Sequence, residues 1–178
     1  AARAVMVTGE ADWAWNLQVE PQILQQMEQE GGEGALVTSG GTSAERIMIN
    51  FADPNTEVDG ARSEPSTQHP IWQHKQAREA LALAIQRDLI AEQLYGPGNE
   101  PTGDNLNVPP RFKFNNPWEY NLDKAREKLA EINFPDAFES TRITYSTSVN
   151  SVRQKNQEIV KADLEQLGFQ VELISVDS

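Results

Sequence analysis

The last third of the chain constrains the fold most strongly, because two strand-type stretches flank one helical pattern. The first stretch, Arg142–Ser146, alternates apolar and polar residues, and the second covers Phe169–Val176. Between them, apolar residues at helical spacing predict a helix over residues 152–167 that ends at Gly168. A strand, a helix and a strand in this order form a βαβ unit with parallel strands and a right-handed crossover. The sequence therefore predicts an α/β fold of mixed α+β character, a mixed sheet with flanking helices.

Three further helices are predicted from apolar spacing and from end signals. One begins at Pro21 and ends at Gly31-Gly32. The most regular pattern runs from Trp72 to Tyr95, with a possible break near Arg87-Asp88. A short amphipathic helix spans residues 122–132, with Asn121 as its N-cap.

Strands are predicted at Ala11–Trp15, Ala35–Thr38 and Glu45–Phe51, the last two as a hairpin. Residues 52–73 form a long loop or insertion, and residues 96–118 form an irregular connection rich in Pro and Asn. We expect residues 1–178 to form a single compact unit, an excised piece of a longer chain.

Composition and motifs argue against several functions. A net charge of −12, from 15 Lys and Arg against 27 Asp and Glu, disfavours nucleic acid and anionic membranes as partners. The chain has no cysteine, and His69 and His74 lie five residues apart around Pro70, which does not suit a helical metal pair. We expect no metal site, no cofactor and no catalytic residue, since no serine motif accompanies these histidines.

Two other groups of residues have competing interpretations. The carboxylates of Asp163 and Glu165, like those of Glu10 and Asp12, are interpreted as parts of solvated surfaces and not as an acid and base pair. Trp13 and Trp15 share one strand face, so they either pack in the core, which we favour, or form an aromatic wall of a ligand cleft. Of the two, Trp15 is the better candidate for a ligand contact, because it ends the strand.

The polar run Ser146–Ser151 leads from a predicted strand into a predicted helix. Ligands of α/β proteins bind at the carboxyl ends of strands, where backbone N–H groups and short hydroxyl side chains can hold a carboxylate or a peptide group. Helix capping explains the same residues equally well, so both interpretations stay open.

The order of four segments resembles a known family, the extracytoplasmic solute-binding proteins of ABC transporters, family 5, which bind dipeptides, oligopeptides or nickel complexes. Thr8–Asp12 is similar to the family's turn into a strand, and Ile47–Asn50 to its strand ending in asparagine. Arg78–Arg87 is similar to its signature helix, and Trp118–Ala130 to its tyrosine and lysine-alanine segment. Gln86, where the family usually has aspartate, departs from the pattern.

The resemblance implies a two-lobed, periplasmic-binding-protein-like fold that closes on its ligand. Residues 1–178 would then be a single lobe, the middle segment of the full-length protein that forms most of its second lobe. The resemblance implies a peptide or another small solute as ligand, with the other lobe of the full-length chain and the permease subunits as partners. It also implies a periplasmic or cell-surface location, with a membrane anchor as in a lipoprotein. A sensor or interaction domain is the alternative to transport. The candidate ligand-binding residues are Trp15, Asn50, Tyr145, Ser146, Thr147, Ser148, Asn150 and Arg153.

Overall fold

The structure is a computed structural model that describes residues 8–14, 21–30, 35–37, 44–96, 99, 101 and 118–177. The chain divides into two compact units. The first comprises Ala1–Thr42 and Arg87–Pro101, and the second comprises Ser43–Gln86 and Thr102–Ser178. The mixture of helices and strands that the sequence predicts is confirmed. The prediction of a single lobe stays a prediction.

The helices and strands follow one another in a fixed order along the chain. They are helix α1 (Pro21–Glu30), strands β1 (Glu57–Val58) and β2 (Ala61–Arg62), helices α2 (Lys75–Leu83) and α3 (Arg87–Ile90), a π-helical turn (Ala91–Tyr95), helix α4 (Leu122–Ala130), strand β3 (Arg142–Ser148), helix α5 (Ser151–Gln166) and strand β4 (Gln170–Val176). The predicted helix over residues 72–95 is thus interrupted after Leu83, close to the expected break.

The βαβ unit of the second unit is built as predicted. Strands β3 and β4 pair in parallel, from Arg142 opposite Gln170 to Ser148 opposite Val176. Helix α5 begins at its N-cap Asn150, whose side chain accepts a hydrogen bond from the Arg153 N–H at 3.1 Å. Gly168 follows the helix with φ of +96°, a conformation that costs glycine little and other residues more.

The core of the second unit joins this βαβ unit to a pair of helices. Helices α2 and α4 pack against each other through alanines, among them Ala80 and Ala125, which have no exposed surface. Small side chains allow the two helices to approach closely. Asn121 caps α4, as predicted, because its side chain accepts the Lys124 N–H at 2.9 Å. The buried apolar side chains of the βαβ unit include Ile143, Val152, Val160, Leu164, Leu167, Phe169 and Val171.

The long loop over residues 52–73 has a defined structure. At its base the His69 N–H donates to the Phe51 carbonyl at 2.7 Å, and the Asp53 N–H donates to Thr67 Oγ1 at 2.9 Å. Its tip is the hairpin of β1 and β2, whose turn residues Asp59 and Gly60 both have positive φ. An Asp-Gly pair is a strong signal for such a hairpin, so the sequence held information that our prediction missed.

The strand predictions for the first third of the chain were wrong within the described residues. Residues 11–14, 35–37 and 45–51 form no strand there. Apolar and β-branched residues favour extended backbone, but a strand exists only where a second segment supplies hydrogen-bond partners. Trp13 is 75% exposed, so core packing was also wrong for this ring.

The first unit contains α1, whose first residue is the buried Pro21, as the sequence predicts. Gly96 follows the π-helical turn with φ of +71°, and a Cβ placed on it would lie 2.8 Å from Pro21 Cβ. Only glycine fits at this position without a shift of the proline. The predicted helix over residues 4–6 lies outside the described residues.

Candidate functional site

A cavity of about 730 Å³ in the second unit is lined by several of the candidate binding residues. Two extended stretches, residues 45–50 and residues 142–147 of β3, contribute to its lining. The lining combines polar and charged side chains with apolar ones, which include Ile71, Trp72, Leu81, Val160 and Leu164. A cavity of this volume, lined by apolar side chains and by polar groups, is large enough for a small molecule.

Arg153 is one of three arginines that line the cavity, with Arg46 and Arg142, and it lies in the first turn of α5. Its Nε atom lies 3.0 Å from Glu45 Oε1, and its NH2 group donates to Glu45 Oε2 at 3.1 Å. Its NH1 group donates to Ser148 Oγ at 3.2 Å. The guanidinium therefore holds one carboxylate at two points and one hydroxyl, which is the geometry that Arg uses to recognise carboxylates.

Tyr145, Ser146 and Thr147 line the same cavity from the carboxyl half of β3. The Tyr145 carbonyl accepts a hydrogen bond at 2.7 Å from Nε2 of Gln157, a side chain on α5 that is only 1% exposed. The same Gln157 amide also donates to the Ile174 carbonyl of β4 at 3.3 Å. One buried amide thus attaches α5 to both strands and fixes the backbone that carries the candidate residues.

Asn50 lines the cavity from the extended stretch 45–50 and also forms hydrogen bonds within the long loop. Its Oδ1 accepts the Ala52 N–H at 3.0 Å, and its Nδ2 donates to Ser63 Oγ at 3.2 Å. These bonds are explained by the loop alone, so Asn50 has a structural role whether or not it touches a ligand.

The structure brings the candidate residues of the second unit together. Asn50, Tyr145, Ser146, Thr147 and Arg153 line one cavity, while Ser148 and Asn150 bond to Arg153. Trp15 lies outside the described residues. Capping and ligand contact are compatible for Asn150, because its Oδ1 caps the helix in either case. That these residues bind a ligand stays a prediction.

Asn156 lies on α5, three residues after Arg153, and adds a polar group to the cavity that the sequence analysis missed. It lines the cavity, and its Oδ1 is a buried acceptor without a hydrogen-bond partner in the described part of the chain. A buried acceptor without a partner costs about 1–3 kcal/mol of stability. A ligand that donates a hydrogen bond to the Asn156 oxygen would recover this cost.

His69 is buried at the edge of the cavity and acts as a cap. Its Nδ1 accepts the backbone N–H groups of Ile71 at 3.1 Å and Trp72 at 3.2 Å. Burial lowers the pKa of His69, and the charge of Asp53 opposes that shift only in part. A neutral imidazole is the form that accepts these bonds. Within the described residues, no group of three or more His, Cys, Asp or Glu side chains is placed to hold a metal ion.

Asp163 corrects the sequence analysis, because its side chain is buried, 2% exposed, and not part of a solvated surface. Its Oδ2 accepts from Gln86 Nε2 at 2.6 Å, and its Oδ1 accepts from the Tyr120 hydroxyl at 2.9 Å. Desolvation of that hydroxyl and its bond to the carboxylate raise the pKa of Tyr120 to about 12. Gln86, the departure from the family pattern, therefore supplies an amide donor to a buried carboxylate.

Both buried polar residues of α5 could have been found from their spacing. Gln157 and Asp163 each lie three residues from Val160, so they share its face of the helix. A polar residue in an apolar stripe is a signal of a buried hydrogen-bond network.

One protein-family model matches the whole chain. The model of the family described as "Bacterial extracellular solute-binding proteins, family 5 Middle" matches residues 1–178. The chain belongs to this family. Its described residues contain no helix with both the length and the apolar character that crossing a membrane requires.

Individual members of family 5 match at low to moderate identity. The glutathione-binding protein GsiB of Salmonella choleraesuis is 32% identical over 116 residues, which is 63% of the chain and 22% of that protein. The oligopeptide-binding protein AppA of Bacillus subtilis, solved with a nonapeptide, matches 60% of the chain and 24% of its own length, with a TM-score of 0.52 and 24% identity. The ABC transporter substrate-binding protein CtaP of Listeria monocytogenes matches 99% of the chain and 32% of its own length, with a TM-score of 0.61 and 15% identity. The structural matches show the fold, and the chain spans less than a third of each of these relatives.

Proposed function

We propose that this family 5 chain is part of the substrate-binding component of an ABC transporter, which binds short peptides outside the cytoplasm and delivers them to a permease. The match of all 178 residues to the family carries this proposal. In this role the chain binds and does not catalyse. A periplasmic or cell-surface location, with the full-length protein anchored to the membrane, belongs to the same proposal.

The chemistry at the cavity supports a peptide as the ligand. A peptide offers a terminal carboxylate, backbone N–H groups and carbonyl groups. Arg153 matches the carboxylate, the Asn156 amide oxygen matches an N–H donor, and the hydroxyls of Ser146 and Thr147 match carbonyl groups. Glutathione, which the relative GsiB binds by its name, is itself a small peptide and belongs to the same ligand class.

The first test is a thermal-shift and calorimetric titration of the full-length protein. A library of di- to hexapeptides and glutathione are compared with Ni(II) and oligosaccharide pools, because a ligand that binds only the folded state raises its stability. We expect saturable stabilisation by peptides. If only Ni(II) or the oligosaccharides stabilise the protein, the proposed ligand changes from peptides to that class while the transport function stands. If no pool changes the stability, a sensor or interaction domain is favoured.

The second test addresses Arg153. Arg153→Gln removes the cation but keeps an amide of moderate length, and we expect about 10- to 100-fold weaker peptide binding, since a charged hydrogen-bonded contact contributes about 1.5–3 kcal/mol. Arg126→Gln is the matched control, because Arg126 forms an exposed ion pair with Asp123 on α4 and does not line the cavity. Equal effects of both variants would remove Arg153 from the site.

A further inference from the structure

The ion pair between Arg153 and Glu45 joins residues 108 positions apart in the sequence. Both oxygens of the Glu45 carboxylate face the guanidinium, one at Nε and one at NH2. This is a two-point contact along one edge of the guanidinium. Glu45 thus presents to Arg153 the same group that the terminus of a peptide would present.

The pair is placed where it can open. The Arg153 and Glu45 side chains are 42% and 40% exposed, and both line the cavity. Exposed ion pairs contribute little to stability, because water and salt screen the charges. The Asp163 carboxylate contrasts with that of Glu45, since Asp163 is only 2% exposed.

One edge of a guanidinium binds one carboxylate at two points at a time. The NH1 group on the other side of Arg153 donates to the Ser148 hydroxyl. A ligand carboxylate that needs the Nε and NH2 edge must therefore replace Glu45, and the helix cap at Asn150 keeps the backbone of Arg153 in place during the exchange.

We propose that Glu45 is an internal competitor that occupies the ligand-carboxylate position on Arg153 and sets the affinity of the site for ligands with a free carboxylate. The inference rests on the proposed function and adds a ligand class to it, namely peptides with a free carboxyl terminus. The ligand carboxylate takes the place of the Glu45 carboxylate, which moves into solvent. Removal of the Glu45 charge therefore strengthens the binding of such ligands.

The test uses the full-length protein and calorimetric titration with tetra-alanine, its C-terminal amide and glutathione. Glu45→Gln is expected to strengthen the binding of the two free acids by about 2- to 5-fold, the range that corresponds to loss of one exposed ion pair. Binding of the amide is expected to stay unchanged. Glu131→Gln is the matched control, because it removes one negative charge and one exposed ion pair, that with Lys128, and Glu131 does not line the cavity. In the double variant with Arg153→Gln, which removes the cation for which the two carboxylates compete, the gain is expected to vanish.

Three results would overturn the inference while leaving the proposed function intact. The first is wild-type binding of peptides that Glu45→Gln leaves unchanged. The second is an equal gain for the acid and the amide, or an equal gain in Glu131→Gln, either of which would indicate a general charge effect. The third is weaker binding in Glu45→Gln, which would make Glu45 a residue that positions Arg153. Wild-type protein that binds none of the peptides would overturn both the proposed function and the inference.

Discussion

The amide of Gln157 offers the sharpest test of how the βαβ unit is held together. It donates to the Tyr145 carbonyl of β3 at 2.7 Å and to the Ile174 carbonyl of β4 at 3.3 Å, from a side chain that is 1% exposed. Gln157→Ala removes both bonds and leaves a small cavity. Each hydrogen bond contributes about 1 kcal/mol net, so with the cavity we expect a loss of about 2–3 kcal/mol in the free energy of unfolding.

Urea unfolding followed by far-UV circular dichroism measures this loss. With a urea m-value of about 2 kcal/mol/M, the midpoint of Gln157→Ala is expected to fall by about 1–1.5 M. Gln154→Ala is the control one turn earlier, because Gln154 donates to the exposed Ser175 hydroxyl, and we expect a change of at most about 0.5 kcal/mol. Equal midpoints for the two variants at an unchanged m-value would refute the reasoning.

Two further predictions concern pH. The pKa of Tyr120 is raised to about 12, so the folded state keeps a proton that the unfolded state loses near pH 10. Stability is therefore expected to fall between pH 10 and 12 more steeply in wild type than in Tyr120→Phe, and absorbance at 295 nm follows the ionisation; equal slopes would contradict the Asp163 contact. The pKa of His69 is lowered, so its bonds to the N–H groups of Ile71 and Trp72 stabilise the fold above pH 6.5 and are lost as the pH falls below that value. Urea midpoints at pH 7 and pH 5 are expected to differ more in wild type than in His69→Gln, and a difference of the same size would exclude His69 as the cause.

The buried polar residues explain why α5 matters for the site as well as for stability. Gln157 fixes the backbone at Tyr145, and Asn150 caps the helix that carries Arg153. Tyr145 and Arg153 therefore lie on a strand and a helix that these hydrogen bonds hold in place, and precise recognition of a small ligand requires such support.

Several features were determined by the sequence alone, because they depend on neighbours along the chain. Helix hydrogen bonds join residues four apart, so apolar spacing predicted α1, α4 and α5, and the cap Asn121 marked the start of α4. The βαβ order predicted the parallel pairing of β3 and β4. The order of family motifs along the chain predicted the family that the comparisons show.

Other features were decided only by the tertiary structure, because they depend on partners that are distant in sequence. Residues 45–51 have the composition of a strand, yet no ladder forms there among the described residues, since pairing requires a second segment at the right place. The buried Asp163 carboxylate is hydrogen-bonded to Gln86, which lies between α2 and α3, and to Tyr120, which precedes α4. The pairing of Glu45 with Arg153 spans 108 residues. The spacing of apolar residues along a helix or strand shows which of its faces is apolar. Only the tertiary fold determines which charged side chains contact that face and its edges.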